Sequence, residues 1–299
     1  GYDKNRKVTL QDMKFSDASE NARLVIPKAV NAQHSVLAMT NYDAGGNMYV
    51  YVSFLAPGAS SSEYYLFASN LGEFKEIKSA AGLNHEGLES DAVFADYDND
   101  GYQDLFIATS KGIVLYKNNG DGSFTRIKDD KGLNSVLDGN KLLAADFDQD
   151  GDLDLYVGCK GQDKFFRNND DGTFTEQAGK MGLSGSGTGD MDFGDWDTDG
   201  DLDIASLTAD GSLQLLNNDR HSKFENITGT LQLQNPPYKG TAVAFGDYNN
   251  DGMPDILIAG GTDGKCSLLR NTGSGFTVDP VSQQLSGLLK GVAVHDLAF

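Results

Sequence analysis

Apolar residues along this chain come in short runs separated by clusters of Asp, Asn and Gly. Ala92 to Ala95, Leu142 to Ala145 and Ala242 to Phe245 each precede an acidic stretch, and behind it stands a second run such as Leu105-Phe106-Ile107-Ala108 or Ile256-Leu257-Ile258-Ala259. A third run, Ile113-Val114-Leu115-Tyr116 in one copy and Ser212 to Leu216 in another, leads into a turn rich in Asn, Asp and Gly, after which a Phe recurs at 74, 124, 174, 224 and 276. Apolar runs this short, bounded by turn residues, read as strands, and Asn118-Asn119-Gly120-Asp121-Gly122 reads as a hairpin loop. Each unit therefore holds about four antiparallel strands.

The pattern is periodic. Four acidic loops, Asp96 to Asp104, Asp146 to Asp154, Asp195 to Asp203 and Asp247 to Asp255, start 50, 49 and 52 residues apart. One period earlier lies a degraded copy, Asn41-Tyr42-Asp43-Ala44-Gly45-Gly46, and one period later lies Asp296. Repeat units thus start near residues 36, 91, 141, 190, 241 and 292. A lone four-stranded sheet of this size leaves a face uncovered, whereas several packed face to face bury it. The expectation is an all-β protein: a single β-propeller over residues 1–299, with four-stranded antiparallel blades and the acidic loops between first and second strands. Dividing the length by the period gives roughly six blades. Val8-Thr9-Leu10 and Arg23 to Ile26, within residues 1–35, are expected to join Val292-Ala293-Val294 in a closing blade.

In the first loop, acids stand at positions 1, 3, 5 and 9 (Asp96, Asp98, Asp100, Asp104), with Gly101 at position 6 to permit a sharp reversal. Carboxylates brought together at this spacing repel by about 3 kcal/mol per pair at an effective dielectric of 20, so the folded loop wants a cation. Calcium suits it, taking six to eight hard oxygen ligands with loose geometry. The predicted ligands are Asp96, Asp98, Asp100 and Asp104 with the Tyr102 carbonyl; Asp146, Asp148, Asp150, Asp152 and Asp154; Asp195, Asp197, Asp199, Asp201 and Asp203; and Asp247, Asn249, Asp251 and Asp255 with the Met253 carbonyl. That makes about four Ca2+ sites. An EF-hand would need Glu at position 12, where Ile107, Val157, Ser206 and Ile258 stand in apolar runs. Loop four, with Asn249 at position 3, is expected to bind most weakly, and the copy at Asn41, with Asp43 its one carboxylate, not at all.

Composition narrows the partners. The formal charge of −20, from 44 acidic against 24 basic residues, would repel phosphate backbones and so argues against nucleic acid. No apolar run is long enough to span a bilayer as a helix. Cys159 and Cys266 fall at different positions of different repeats, which favours buried small hydrophobes over a disulfide. His34, His85, His221 and His295 are scattered without metal-ligand spacing, and no nucleophile stands beside a base. Trp196 fills loop position 2, where other copies carry Tyr42, Tyr97, Phe147 and Tyr248, so it reads as a structural slot rather than a sugar-stacking platform.

The Asp-rich loops, the preceding Phe193-Gly194-Asp195 and Phe245-Gly246-Asp247, and the hairpin Asn168-Asn169-Asp170-Asp171-Gly172-Thr173-Phe174 resemble FG-GAP or VCBS repeats over about residues 36–296. Such repeats build the propeller of integrin α subunits and of many bacterial surface proteins. The Gly132-Leu133 and Gly182-Leu183 pattern is similar to cartilage acidic protein relatives. The resemblance implies seven blades, calcium that rigidifies the loop between the first two strands, and an extracellular, cell-surface or periplasmic location. The expected function is that of a non-catalytic interaction or adhesion module with a protein or glycan ligand. The alternatives are a lectin-like propeller and the propeller domain of a polysaccharide-degrading enzyme.

Overall fold

Second strands in this chain are apolar without alternation, as expected of strands flanked on both edges and covered on both faces. Leu105 to Ala108 and Leu155 to Cys159 are buried throughout. Fourth strands bury their Phe and expose the residues after it, as in Phe124–Arg126 and Phe174–Glu176. Burial therefore falls off across each sheet toward its fourth strand.

A computed structural model of the protein describes residues 34–40, 42–55, 59–69, 74–129, 131–133, 136, 138–183, 185, 187–219, 223–231, 233, 239–260, 265–289, 294 and 297. The chain divides into two compact units, residues 1–128 and 129–299. In the first, one sheet comprises β1 (His34–Met39), β2 (Met48–Leu55), β3 (Glu63–Ser69) and β4 (Phe74–Glu76). After the short helix α1 (Lys78–Ala81) comes a second sheet of β5 (Glu89–Ala95), β6 (Asp104–Thr109), β7 (Gly112–Asn118) and β8 (Phe124–Arg126).

Among the described residues, the second unit holds three sheets. The third is β9 (Gly139–Ala145), β10 (Asp154–Cys159), β11 (Lys164–Asn168) and β12 (Phe174–Glu176), and the fourth is β13 (Thr188–Gly194), β14 (Asp203–Thr208), β15 (Leu213–Asn218) and β16 (Phe224–Asn226). The fifth, β17 (Ala242–Gly246), β18 (Asp255–Gly260), β19 (Lys265–Asn271) and β20 (Phe276–Val278), is followed by helix α2 (Val281–Leu288). All five sheets run in simple antiparallel order, and the recurring Phe opens every fourth strand. The two helices lie outside what the strand pattern foretold. Val8 to Leu10, Arg23 to Ile26, Asn41, His221, Val292, Ala293, His295 and Asp296, and with them the expected closing blade, lie outside the described residues.

Register fixes where each acidic loop closes. The position-9 Asp pairs across to the last residue of the first strand in four sheets: Asp104 with Ala95, Asp154 with Ala145, Asp203 with Gly194, and Asp255 with Gly246. All four loops thus join first strand to second at one register.

Within each unit, neighbouring sheets bury a shared apolar layer. Tyr49, Tyr51, Leu66, Phe94, Leu105, Ile107 and Tyr116 belong to one core of the first unit. In the second unit, Phe147 is 1% exposed and packs edge-on against Phe165, Phe193 and Phe224 at 5.8, 6.1 and 6.1 Å between ring centres. Polar links join the same sheets. The Phe174 N–H donates to the Lys131 carbonyl at 2.7 Å, and the Phe224 N–H to the Met181 carbonyl at 2.7 Å, so a fourth strand bonds to the turn that closes the preceding repeat. Beside Met181, Gly182 has φ +74, and a methyl there would stand 2.5 Å from the Phe224 carbonyl oxygen. The Gly-Leu signature therefore marks a close backbone approach between repeats. On the first strands, the Asp190 carboxylate accepts the Val243 N–H at 2.8 Å and Asp192 accepts the Phe245 N–H at 2.8 Å.

Candidate metal centre

Each acidic loop is first a hydrogen-bonded turn. The position-1 carboxylate accepts the N–H groups of positions 5 and 6: Asp96 from Asp100 and Gly101 at 3.0 and 2.8 Å, and Asp195 from Asp199 and Gly200 at 3.0 and 3.1 Å. Asp146 and Asp247 repeat the pattern in their loops. The position-5 carboxylate accepts the position-7 N–H in all four loops, at 2.9, 3.1, 3.0 and 3.0 Å for Asp100, Asp150, Asp199 and Asp251. Tyr102, Asp152, Asp201 and Met253 are the residues that donate. Two left-handed residues make the reversal, the position-6 glycine and position 4, where Asn99, Gln149, Thr198 and Asn250 have φ between +54 and +60. Asx-type turns and short polar residues at positive φ are the local chemistry that this sequence supplies.

The position-9 Asp is the innermost member. Asp104, Asp154, Asp203 and Asp255 are at most 1% exposed. Each accepts a backbone N–H from the end of the third strand: Asn118, Asn168, Asn218 and Asn271 at 2.7, 2.9, 2.8 and 2.7 Å. These four buried asparagines are hubs. The Asn118 side chain donates to the Gln103 carbonyl at 3.2 Å and accepts the Gly120 N–H at 3.0 Å, tying the hairpin turn to the acidic loop. Asn218 donates at 2.8 Å to the Phe147 carbonyl in loop two, and Asn271 at 2.6 Å to the Trp196 carbonyl in loop three. Sequence reasoning took these asparagines as turn residues only. Their recurrence 14 to 16 residues after each position-9 Asp is the signal that marks them.

Electrostatics bear the mark of crowded negative charge. Burial pushes Asp104 up to about 8 and Asp154 and Asp203 up to about 7; the backbone N–H bonds pull the other way, and neighbouring loop carboxylates add to the rise. Burial likewise raises Asp96, Asp197 and Asp255. Carboxylate oxygens of Asp96, Asp98 and Asp104 lie within 4.8 Å of one another, as do those of Asp146, Asp148 and Asp154, and of Asp195, Asp197 and Asp199. Buried oxygens are left without hydrogen-bond partners in the first two clusters, namely Asp98 Oδ1, Asp148 Oδ1 and Asp154 Oδ2. An orphaned carboxylate oxygen is costly, and three hard oxygen donors at this separation suit a calcium-sized cation. The residues of loops one to three therefore fit such an ion. Loop four is more open, with Asp247, Asn249 and Asp251 exposed.

Basic side chains of the third strands reach loops one and two. Lys117, from β7, pairs with Asp98 and lies 3.0 Å from Asp100 Oδ2. Partial burial disfavours its ammonium, but the bonds to Asp98 and Asp100 outweigh that and hold it above the ordinary lysine range. Arg167, from β11, places Nε 2.6 Å from Asp148 Oδ2 and also pairs with Asp150.

Trp196 is 9% exposed, donates Nε1–H to Asn217 Oδ1 at 2.5 Å and lies 5.8 Å from Phe276, as a structural slot requires. His85 is a packed histidine whose side chain is 1% exposed. Its Nε2 lies 2.9 Å from Glu89 Oε1 and its Nδ1 3.1 Å from the Tyr116 hydroxyl. Both cysteines are free and buried, and burial pushes the Cys159 thiol up to about 12. No helix among the described residues is long and apolar enough to cross a membrane.

Four-stranded antiparallel sheets in series, with one turn-forming acidic loop at the same register of successive repeats, define a β-propeller repeat protein. FG-GAP-like repeats match residues 96–157, 146–206 and 195–258, each running from one acidic loop through the next to the strand beyond it. These matches cover more than half of the chain, which belongs to the FG-GAP-like repeat family. Among solved structures, the chain is similar to a lectin of Agrocybe aegerita described as specifically recognising non-reducing terminal N-acetylglucosamine. That likeness has 19% identity and a TM-score of 0.51, over 84% of this chain and 67% of the lectin chain, and it supports the propeller fold. The Photorhabdus luminescens Tc holotoxin pore is matched at 15% identity and a TM-score of 0.41, over 84% of this chain and 12% of the toxin chain. No curated protein sequence matches the chain.

Proposed function

We propose that this protein is a non-catalytic, calcium-binding propeller that acts outside the cytoplasm, at the cell surface, in the periplasm or in the extracellular medium, as an interaction or adhesion module. The observation that carries the reading is the set of orphaned, buried carboxylate oxygens on Asp98, Asp148 and Asp154, inside clusters whose donors converge within 4.8 Å. Asp96, Asp98, Asp100 and Asp104, with their counterparts in loops two and three, would hold the ion. Calcium would neutralise the loop and stiffen the link between first and second strands. Loop four would bind most weakly, having Asn249 in place of a carboxylate and more exposure to water.

The test is a calcium titration of chelator-treated protein by calorimetry, joined to melting curves. Binding to the folded state alone stabilises it by about 2.7 kcal/mol at a hundred-fold excess over Kd. Several binding events with a raised Tm are expected; no heat and no shift would overturn the metal reading and the location argued from it.

A second reading, a glycan-binding propeller, is favoured by a hollow of about 550 Å³ in the first unit, where Ser60, Ser61, Ser62 and Ser110 offer hydroxyl groups beside the Glu86–Lys111 ion pair. The fold likeness to an N-acetylglucosamine-recognising lectin suggests the first glycans to try. Retention on an array bearing terminal N-acetylglucosamine would support it, and an array without signal would leave a protein ligand as the reading.

A further inference from the structure

The residue before each hub asparagine differs from sheet to sheet: Lys117 in β7, Arg167 in β11, Asn217 in β15 and Arg270 in β19. Lys117 and Arg167 each bind the position-3 and position-5 carboxylates of their own loop, and each leaves the other oxygen of the position-3 Asp buried and unpartnered. Asn217 instead accepts the Trp196 indole N–H. Arg270 is exposed, and among the described residues no ion pair joins it to loop four. Loops one and two are therefore partly neutralised from within, each by a basic side chain of its own third strand.

Resting on the calcium reading of these loops, we propose that Lys117 and Arg167 are tethered cations, which hold loops one and two together without metal and weaken metal binding there. A tethered charge acts at high effective concentration, and an incoming ion must either displace it from two of its ligands or tolerate it nearby. Both routes lower affinity, because like charges a few ångströms apart repel even at the dielectric of a protein surface. The same side chain offsets carboxylate repulsion in the metal-free loop. It therefore has opposite effects on the two states, which a merely structural ion pair does not have.

The experiment uses K117M and R167M, which keep apolar stems and remove the charge, with calcium and with terbium as its luminescent stand-in. Calorimetry counts the sites and gives the affinity of each. Each variant should gain roughly ten-fold in the affinity of one site, the partial exposure of the pair limiting the gain. Each should also melt at a lower temperature than wild type in chelator. Variants that bind metal no more tightly than a metal-binding wild type overturn the proposal and leave the calcium reading intact. A wild type that takes up neither metal ends the calcium reading and the proposal with it.

Discussion

Gly82 and Gly182 offer a controlled comparison within one molecule. Their φ angles are +76 and +74, so an alanine at either must adopt nearly the same left-handed backbone, at roughly 1–2 kcal/mol. They differ in what the added methyl meets. At Gly82 the nearest atom is the Phe124 carbonyl oxygen at 3.3 Å, which a small shift relieves. At Gly182 the Phe224 carbonyl oxygen stands at 2.5 Å, closer than any real methyl contact. Relief there means moving β16 away from the turn, which stretches the 2.7 Å bond from the Phe224 N–H to the Met181 carbonyl. An unmade buried donor costs about 1–3 kcal/mol. Gly82→Ala should therefore cost about 1–2 kcal/mol and Gly182→Ala about 2–5 kcal/mol. Denaturant unfolding at one fixed calcium concentration measures both. Equal losses would show that backbone strain alone sets the cost and would refute the interlock between fourth strand and preceding turn.

Acidity should act on the metal-free protein in an unusual direction. Burial holds Asp104 near about 8 and Asp154 and Asp203 near about 7, whereas an unfolded Asp titrates near about 4. The native state thus binds more protons than the unfolded state between those values, and stability falls as pH rises through them. In chelator, Tm should be lower at about pH 8 than at about pH 5, and saturating calcium should flatten the slope by claiming the deprotonated carboxylates; a Tm in chelator that climbs over this range would contradict the rise that burial imposes on these carboxyls. In the core, Phe147→Ala removes a ring packed against Phe165, Phe193 and Phe224 and should cost about 3–5 kcal/mol. A loss under about 1 kcal/mol in denaturant unfolding would place that ring outside the cooperative core.

Strands were legible where one physical pattern decided them. The second strands are continuous apolar runs and the recurring Phe opens every fourth strand, so the period alone placed both. β13 was harder: Thr188 to Gly194 carries Asp190 and Asp192 inside a strand, and no apolar run announces it. Those aspartates belong there because their carboxylates accept N–H groups from β17, a partner that spacing along one segment does not reveal. At the loops, positions 1, 3, 5 and 9 were readable because carboxylate spacing is itself the chemistry. The hub asparagines were visible as a recurrence but not as a function, since joining two loops is a property of three-dimensional neighbours. The basic partners Lys117 and Arg167 were invisible for the same reason, lying 19 residues from the position-3 carboxylates they bind.

The carboxylates of Asp190 and Asp192 have a consequence for solubility. β17 is the outer strand of its sheet, and a bare outer strand is a template on which another chain can add itself and seed aggregation. Here the donors of Val243 and Phe245 are already engaged by charged side chains from the next sheet. A stray strand would have to displace both carboxylates and leave negative charge stranded against its own backbone. The fifth sheet is thus kept from becoming a growth point for fibrils, and the two aspartates guard the seam at which that growth would start.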